Sequence, residues 1–339
     1  MTPKISFIIP AFNAAGFIAD AIDSVIAQTI SDWELIIVDD NSSDATLHIA
    51  DRYAVADARI RVIRRTEGSG GGFIPRYEAV AAAKSDFILP LDADDVILPD
   101  YAAILLGFIS NSDASAGTIV YPAEYMWIPP FDKDLAWRPE YFDPQTEITC
   151  RPGKDAVRLT LDGWRVPAAG GLIPRALYLE AYRQYGIHHH NFIYADEILT
   201  RHLMYLAQEV IFTEKAVYYC RTHAASVTNA TSLRRLEILK ACRQLLDFTR
   251  LRFGTSSEEY RLAHRQLFHW IFLTLDLLSD PHFSAADRKK GYEAIESYRR
   301  LVDLPLIRSV VSRKYLSVFH LPLPAIRRIM SLRHKLLGK

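Results

Sequence analysis

The feature that most constrains this chain is a switch of hydrophobic period that repeats through its first hundred residues. Ile5 to Ile9 is a short β-branched and aromatic run ended by Pro10, and a helical pattern follows through Phe17, Ile18, Ile22, Val25 and Ile26. Glu34 to Val38 then reads as a second buried strand, closed by Asp39-Asp40-Asn41-Ser42-Ser43. Strand, helix, strand makes a βαβ unit. The alternation continues with a helix after Ser43, a strand at Ile60 to Ile63, a helix at about Pro75 to Ala83 and a strand at Phe87 to Leu91. Repeated βα units predict an α/β fold with a doubly wound, mostly parallel sheet whose ligands gather at the carboxyl ends of the strands. Pro10, Asp39-Asp40 and Asp92-Ala93-Asp94-Asp95 all stand at such ends.

The later chain reads differently. From Pro122 to Pro152 it is rich in aromatic residues and prolines, which predicts an ordered loop or irregular insertion, since aromatics at that density want burial or a ligand. Helices are expected near Ala176 and Ala195, then strands at Val210 to Thr213 and Ala216 to Cys220. Beyond about Thr231 apolar residues such as Leu236, Leu239, Leu245, Leu246 and Phe248 recur at helical spacing. The expected division is therefore an α/β domain over 1–228 and a helical C-terminal extension over 229–339.

Composition excludes several classes. Lysine plus arginine equals aspartate plus glutamate at 40 each, so there is no overall pull toward nucleic acid. Cys150, Cys220 and Cys242 are odd in number and widely spaced, unlike a disulfide framework or a CxxC metal site. The start has no apolar signal-peptide core, and the run Phe268 to Leu278 is too short to span a bilayer. These features predict a cytoplasmic protein.

Asp92-Ala93-Asp94-Asp95 packs three carboxylates into four positions directly after a strand, an unfavourable clustering unless a cation or hydrogen-bond donors offset the repulsion. Hard divalent metals such as Mg²⁺ or Mn²⁺ favour such ligands, commonly one or two carboxylates with substrate phosphates. The competing reading is an acidic turn that caps a helix near Pro99. Asp40 likewise reads either as a helix N-cap or as an acceptor for a base N–H or a ribose hydroxyl.

Taken in order, Pro10-Ala11-Phe12-Asn13, Gln28-Thr29, Glu34 to Thr46 and Asp92-Ala93-Asp94-Asp95 resemble the family 2 glycosyltransferases of the GT-A fold. The resemblance covers about the first 110 residues closely and extends more weakly to about residue 228. It implies transfer of a sugar from a nucleotide diphosphate sugar, with uridine the expected base, to a glycan or lipid-linked hydroxyl, with inversion and with Mn²⁺ or Mg²⁺ as cofactor. Pro10, Phe12 and Asp40 would contact the nucleobase with Asn13 beside them; Asp94 would contact the ribose, Asp92 support the loop and Asp95 hold the metal. Arg76 matches the family's donor-contacting arginine, although Tyr77 stands where asparagine is usual. Asp196, in Tyr194-Ala195-Asp196-Glu197, resembles the catalytic base, with Glu197 as its alternate; an acidic first helical turn is the competing reading. His223 sits where similar enzymes place a histidine near metal or diphosphate.

Several other features carry two readings. The loop Gly68-Ser69-Gly70-Gly71-Gly72 suits donor access or a solvated turn. Gly170-Gly171 resembles an acceptor-side segment. Trp127 and Trp164 offer stacking platforms or core packing, and His188-His189-His190 lacks chelating spacing. After Asp303 there is no acidic residue, and eight basic ones follow. Such a tail predicts either a basic amphipathic helix on a membrane surface or a packed helix with a solvated basic face. The alternative to an enzyme is a module that holds nucleotide or glycan without turnover. A dehydrogenase or nucleotidyltransferase would want a glycine-rich phosphate loop after the first strand, and Pro10-Ala11-Phe12-Asn13 is not one.

Overall fold

A computed structural model describes residues 2–110, 115–128, 148–161, 169–186, 192–221 and 232–336. The chain divides into two units, residues 1–160 with 164–223 and residues 161–163 with 224–339.

The first unit opens with β1 (Ile5–Ala11), α1 (Ile18–Ile26), β2 (Trp33–Asp39), α2 (Thr46–Ala56), β3 (Ile60–Arg64), α3 (Phe73–Ala82) and β4 (Phe87–Pro90). Each lies within two residues of its expected position. β1 pairs in parallel with β2 and β4, and β2 with β3. Because β1 and β2 are flanked by strands and covered on both faces, nearly every residue in them is buried, which is why they read as continuous apolar runs. Glu34 and Asp39 are the buried acids at the two ends of β2, and Glu34 is offset locally. Ser6 Oγ and Lys84 N each donate to it at 2.6 Å and Arg61 at 3.0 Å, so burial's upward push is outweighed and its pKa is lowered.

β5 (Val96–Ile97) and α4 (Tyr101–Ser110) follow, then β6 (Thr118–Ile128), β7 (Ile148–Pro152), α5 (Gly153–Leu159), β8 (Ile173–Pro174), α6 (Arg175–Tyr185), α7 (Ala195–Leu206) and β9 (Glu209–Arg221). β8 adds to the edge of the first sheet antiparallel to β4, giving the order β3-β2-β1-β4-β8. A second sheet runs β5-β9-β6, with β7 also on β9. Two strands expected between Val210 and Cys220 are a single one, β9, which pairs in parallel with β6. The polar pair Glu214-Lys215 lies opposite a register shift between Pro122 and Glu124, so it is an irregularity within the strand and not a turn. The segment expected to be irregular from Pro122 begins and ends inside β6 and β7; residues 129–147 lie outside the described residues.

The second unit is helical: α8 (Ile238–Phe253), α9 (Glu258–Leu277), α10 (Ala285–Arg299), α11 (Leu304–Ile307), α12 (Arg313–Val318) and α13 (Leu323–Leu336). Ser257 caps α9, and Ser284 with Asp287 forms a capping box on α10. Gly254 at φ 88° ends α8, a left-handed position natural to glycine. Among the described residues no helix is long and apolar enough to cross a membrane.

Candidate active site

The site is built where β1, β2 and β4 end. The chain leaves β1 through Asn13, held at φ 48°, and leaves β2 through Asn41 at φ 62°, left-handed positions that asparagine tolerates. These two exits are stitched together. Asn13 Oδ1 accepts from Ser43 N at 2.8 Å, and Asn13 N donates to Ser42 Oγ at 3.0 Å. Ala14 N donates to Thr46 Oγ1 and Ala15 N to Asp44 Oδ2, at 2.7 and 3.0 Å. Asn13 is thus occupied in joining loops, while Phe12 next to it is 61% exposed and offers an open aromatic face beside Pro10.

Asp40 is 4% exposed. Its carboxylate accepts from Ser69 N at 2.8 Å and Ser69 Oγ at 2.7 Å, and Arg65 Nε lies 2.8 Å away. It does not cap α2, whose N-cap residue is Ala45. Sequence reasoning missed Ser69 and Arg65 as partners of Asp40; the glycine loop, read there as donor access or a solvated turn, supplies Ser69 and runs on toward Arg76, whose Nη1 is 3.8 Å from where a Cβ on Gly72 would stand.

The acidic turn is held from the second sheet. Leu91 N donates to Ile8 O and Asp95 N to Asp92 O, closing the turn after β4. Tyr218 of β9 accepts from Asp92 N at 3.1 Å and hydrogen-bonds the Asp95 carboxylate. Asp95 Oδ1 also accepts from Arg221 N at 2.8 Å. Asp95 is therefore turned inward, 7% exposed, while Asp92 and Asp94 are half-buried. Burial, then repulsion from Asp94 and Asp92, pushes the Asp95 carboxyl well above its usual range. Tyr218 is the residue sequence reasoning missed here. Its only signal was an aromatic position in the strand run before Cys220.

Arg76, on α3, is 4% exposed, and its Nη2 donates to Asp92 Oδ1 at 2.9 Å. Its Nε is buried with no acceptor among the described residues. Burial opposes the guanidinium charge, but Asp92, Tyr178 and Asp196 outweigh it, so its pKa is raised. Asp196 lies in the first turn of α7, within electrostatic reach of both Arg76 and Asp92. Burial is the main cause that lifts its carboxyl to about 6; Arg76 lowers it, and Glu197 and Asp92 raise it further. Glu197 is engaged elsewhere, 3.5 Å from the buried Arg201, which also bonds Thr160. Tyr178 stacks on Tyr182 at 5.5 Å, and Tyr182 meets Phe73 and Tyr77 at 5.0 and 5.1 Å, an aromatic layer behind Arg76.

The structure thus brings Arg76, Asp92 and Asp196 into one charged cluster, from elements 120 residues apart in sequence. Gly170 is tied to the strand that leads into the acidic turn, its N donating to Pro90 O at 2.8 Å and Tyr101 donating to its O at 2.6 Å, while Gly171 lies against Tyr121. His223, Trp164 and His188-His189-His190 lie outside the described residues, as does the Trp127 side chain.

The donor set fits a divalent cation in one specific way. All three carboxylates of the turn are hard oxygen ligands, and the raised Asp95 pKa is the electrostatic debt a cation would relieve. Yet among the described residues no three His, Cys, Asp or Glu side chains close around a point. That combination suits an ion met by one or two carboxylates and completed by substrate phosphate and water.

The family model "Glycosyl transferase family 2" matches residues 6–126. A poly(ribitol-phosphate) beta-glucosyltransferase of Bacillus spizizenii is 42% identical over 96 residues, 28% of this chain and 15% of the relative. The matched stretch is thus a small part of that relative's length. The crystal structure of S. aureus TarS 1–349 in complex with UDP-GlcNAc is similar with a TM-score of 0.75 and 15% identity, over 99% of this chain and 92% of that one. The mannosyltransferase PcManGT from Pyrobaculum calidifontis, in complex with GDP-Man and Mn²⁺, is similar with a TM-score of 0.54 and 14% identity, over 98% and 85%. At these identities the two structures establish the shared GT-A-type fold.

Proposed function

Because the chain carries a family 2 glycosyltransferase domain, we propose that it moves a sugar, with inversion, from a nucleotide diphosphate sugar to a hydroxyl of a glycan or lipid-linked acceptor. The observation that carries this reading is the Arg76, Asp92 and Asp196 cluster at the strand ends of that domain. A UDP-sugar is the donor we favour, and residues 1–228 form the catalytic domain with 229–339 as its helical extension. The free thiols Cys150, Cys220 and Cys242 suit a reducing cytoplasm.

In this reading Pro10 and Phe12 present the apolar face on which the base lies. Asp40, oriented by Ser69 and Arg65, accepts the base N–H, while Asn13 keeps the two loops in register. Asp94 meets the ribose and Asp92 holds Arg76 in place. Arg76 then directs a fixed positive charge toward the donor phosphates from a buried position where it needs no reorganisation. Asp95 retains lone pairs beyond those used by Arg221 and Tyr218, and with its neighbours would hold Mn²⁺ or Mg²⁺; His223 is the further candidate ligand. Such an ion, when bound, supplies Lewis-acid stabilisation of the departing diphosphate.

Asp196 is the base. Inversion requires a group that takes the acceptor's hydroxyl proton as the oxygen attacks the anomeric carbon. A carboxyl lifted to about 6 is ionised at neutral pH yet more basic than an ordinary aspartate, the poise such a step wants. Glu197, tied to Arg201, is the poorer choice. Calorimetric titration with UDP, GDP, CDP and TDP, each with and without Mn²⁺, followed by a transfer assay with the sugar of the base that binds, tests the proposal. Metal-dependent binding of one base with turnover supports it. Binding without any transfer or donor hydrolysis would instead favour a non-catalytic nucleotide-binding module.

A further inference from the structure

The zero net charge of the chain conceals a division. Residues 1–223 hold 19 lysines and arginines against 30 aspartates and glutamates, a formal −11, whereas residues 224–339 hold 21 against 10, a formal +11. The excess is greatest at the end: from 304 to 336 there is no acidic residue. Arg308, Arg313, Lys314 and Arg328 are exposed there, and none forms an ion pair with any described residue. Concentrating like charge on a folded surface destabilises it through self-repulsion and creates a potential of several kT, so a surface of this kind implies an anionic partner.

The packing says which kind. An amphipathic tail that enters a membrane needs a free apolar stripe. Here that stripe is used inside the second unit. Ile307, Leu323 and Ile326 are buried, Phe319 stacks on Phe268 of α9 at 4.8 Å, and Tyr315 meets Phe272 at 5.1 Å. Arg299 of α10 adds hydrogen bonds to the carbonyls of Phe319 and Leu321 at 2.9 and 2.7 Å. Of the large apolar residues in the tail, Leu321 and Ile329 are those left exposed among the described residues, at 38% and 42%. What faces water from α11 to α13 among the described residues is serine, proline and His320 interspersed with four cations, Arg308, Arg313, Lys314 and Arg328, and no carboxylate of these helices. A soluble polyanion needs nothing more, and it would gain no net attraction from residues 1–223.

We infer that the exposed cations Arg308, Arg313, Lys314 and Arg328 of α11–α13 hold a polyanionic acceptor chain, a glycopolymer whose repeating charge is a phosphodiester or a uronate. The inference rests on the transfer reading above, to which it adds the acceptor's chemistry.

The test uses the full chain in fluorescence anisotropy with labelled long-chain polyphosphate and labelled polygalacturonate, with dextran as the neutral control and phosphatidylglycerol vesicles as the membrane probe. At least one polyanion should bind while dextran does not. Four neutralised charges on a flexible strand predict affinity falling about 50-fold between about 50 and 200 mM salt. The variant R308Q/R313Q/K314Q/R328Q should lose binding by more than about tenfold and flatten that salt slope, while R308K/R313K/R328K should keep both. Nucleotide diphosphate titration on the same samples checks that the glutamine variant is folded and reports separately on the donor site. Absence of binding to both polyanions, or a glutamine variant that binds as tightly as the parent, overturns the inference. Binding to vesicles with neither soluble polymer bound overturns it in favour of a membrane.

Discussion

Replacing Asp196 with asparagine should inactivate the protein and stabilise it in the same stroke. The carboxyl is lifted from the ordinary 3.8 to about 6, chiefly by burial. A group whose folded pKa is raised costs stability once it ionises, so the penalty is absent below about pH 4 and complete above about pH 6. The full difference corresponds to about 3 kcal/mol. Because Asp196 keeps partial contact with water, screening reduces this to about 1–2 kcal/mol. Asparagine keeps an oxygen to accept from Glu197 N, which now bonds Asp196 Oδ1 at 2.9 Å. Urea denaturation of both proteins from pH 5 to 8 should therefore show the variant more stable at pH 8, with the gap narrowing toward pH 5. Turnover should fall by about 10² to 10⁴-fold, the usual contribution of a general base, with donor affinity little changed. In the parent, kcat/KM should rise with pH to a plateau above about 6. Wild-type turnover in the variant would refute the assignment of the base, and a stability gap independent of pH would refute the electrostatic account.

Three further outcomes follow from the same geometry. Arg76 lowers the Asp196 pKa, so Arg76→Met should move the acid limb of the pH–rate profile upward from about 6, while Arg76→Lys leaves it nearer the parent; an unmoved limb in the methionine variant would mean the two residues are not coupled. Gly170 has φ 86°, and a Cβ there would stand 2.8 Å from the Tyr218 ring. Gly170→Ala should thus cost about 2–4 kcal/mol in urea denaturation, combining left-handed strain with overpacking against the residue that holds the acidic turn. Chelation with EDTA should weaken nucleotide diphosphate binding by about tenfold or more, or about 1.4 kcal/mol, with Mn²⁺ restoring it and Asp95→Asn abolishing that metal response in calorimetry.

The legible part of the fold is the part written by period. β1 to β4 and the helices between them follow from runs whose side chains are buried on both faces, a pattern that depends on the strand's surroundings more than on its partner's identity. The second sheet was harder. β5 and β8 have two residues each, too short to show any period, and both pair antiparallel with strands far away in sequence. The polar pair Glu214-Lys215 interrupts the apolar run, so β9 reads in sequence as two strands, Val210 to Thr213 and Ala216 to Cys220. Its continuity is imposed by β6, which runs beside it for ten paired positions and absorbs the irregularity at Pro122.

The site divides along the same line. Strand-end logic put Pro10, Asp40 and the acidic turn on one side of the sheet, because a parallel sheet has its carboxyl ends at one edge whatever the side chains do. Which carboxylates remain available was a different question, decided by contacts that span 29 residues for Ser69 on Asp40 and 126 for Tyr218 and Arg221 on the acidic turn. No local pattern carries those distances. The choice between Asp196 and Glu197 shows the consequence. The resemblance favours Asp196 with Glu197 as its alternate, and what separates them physically is Arg201, one turn further along the same helix, which lies 3.5 Å from Glu197 and is anchored on Thr160. With Glu197 paired there, Asp196 is left as the acid that shares a charged cluster with Arg76 and Asp92. A Glu197→Gln variant, which removes the carboxylate 3.5 Å from buried Arg201, should accordingly lose some stability while keeping a pH–rate limb near 6, and a lost limb with intact stability would reverse the two roles.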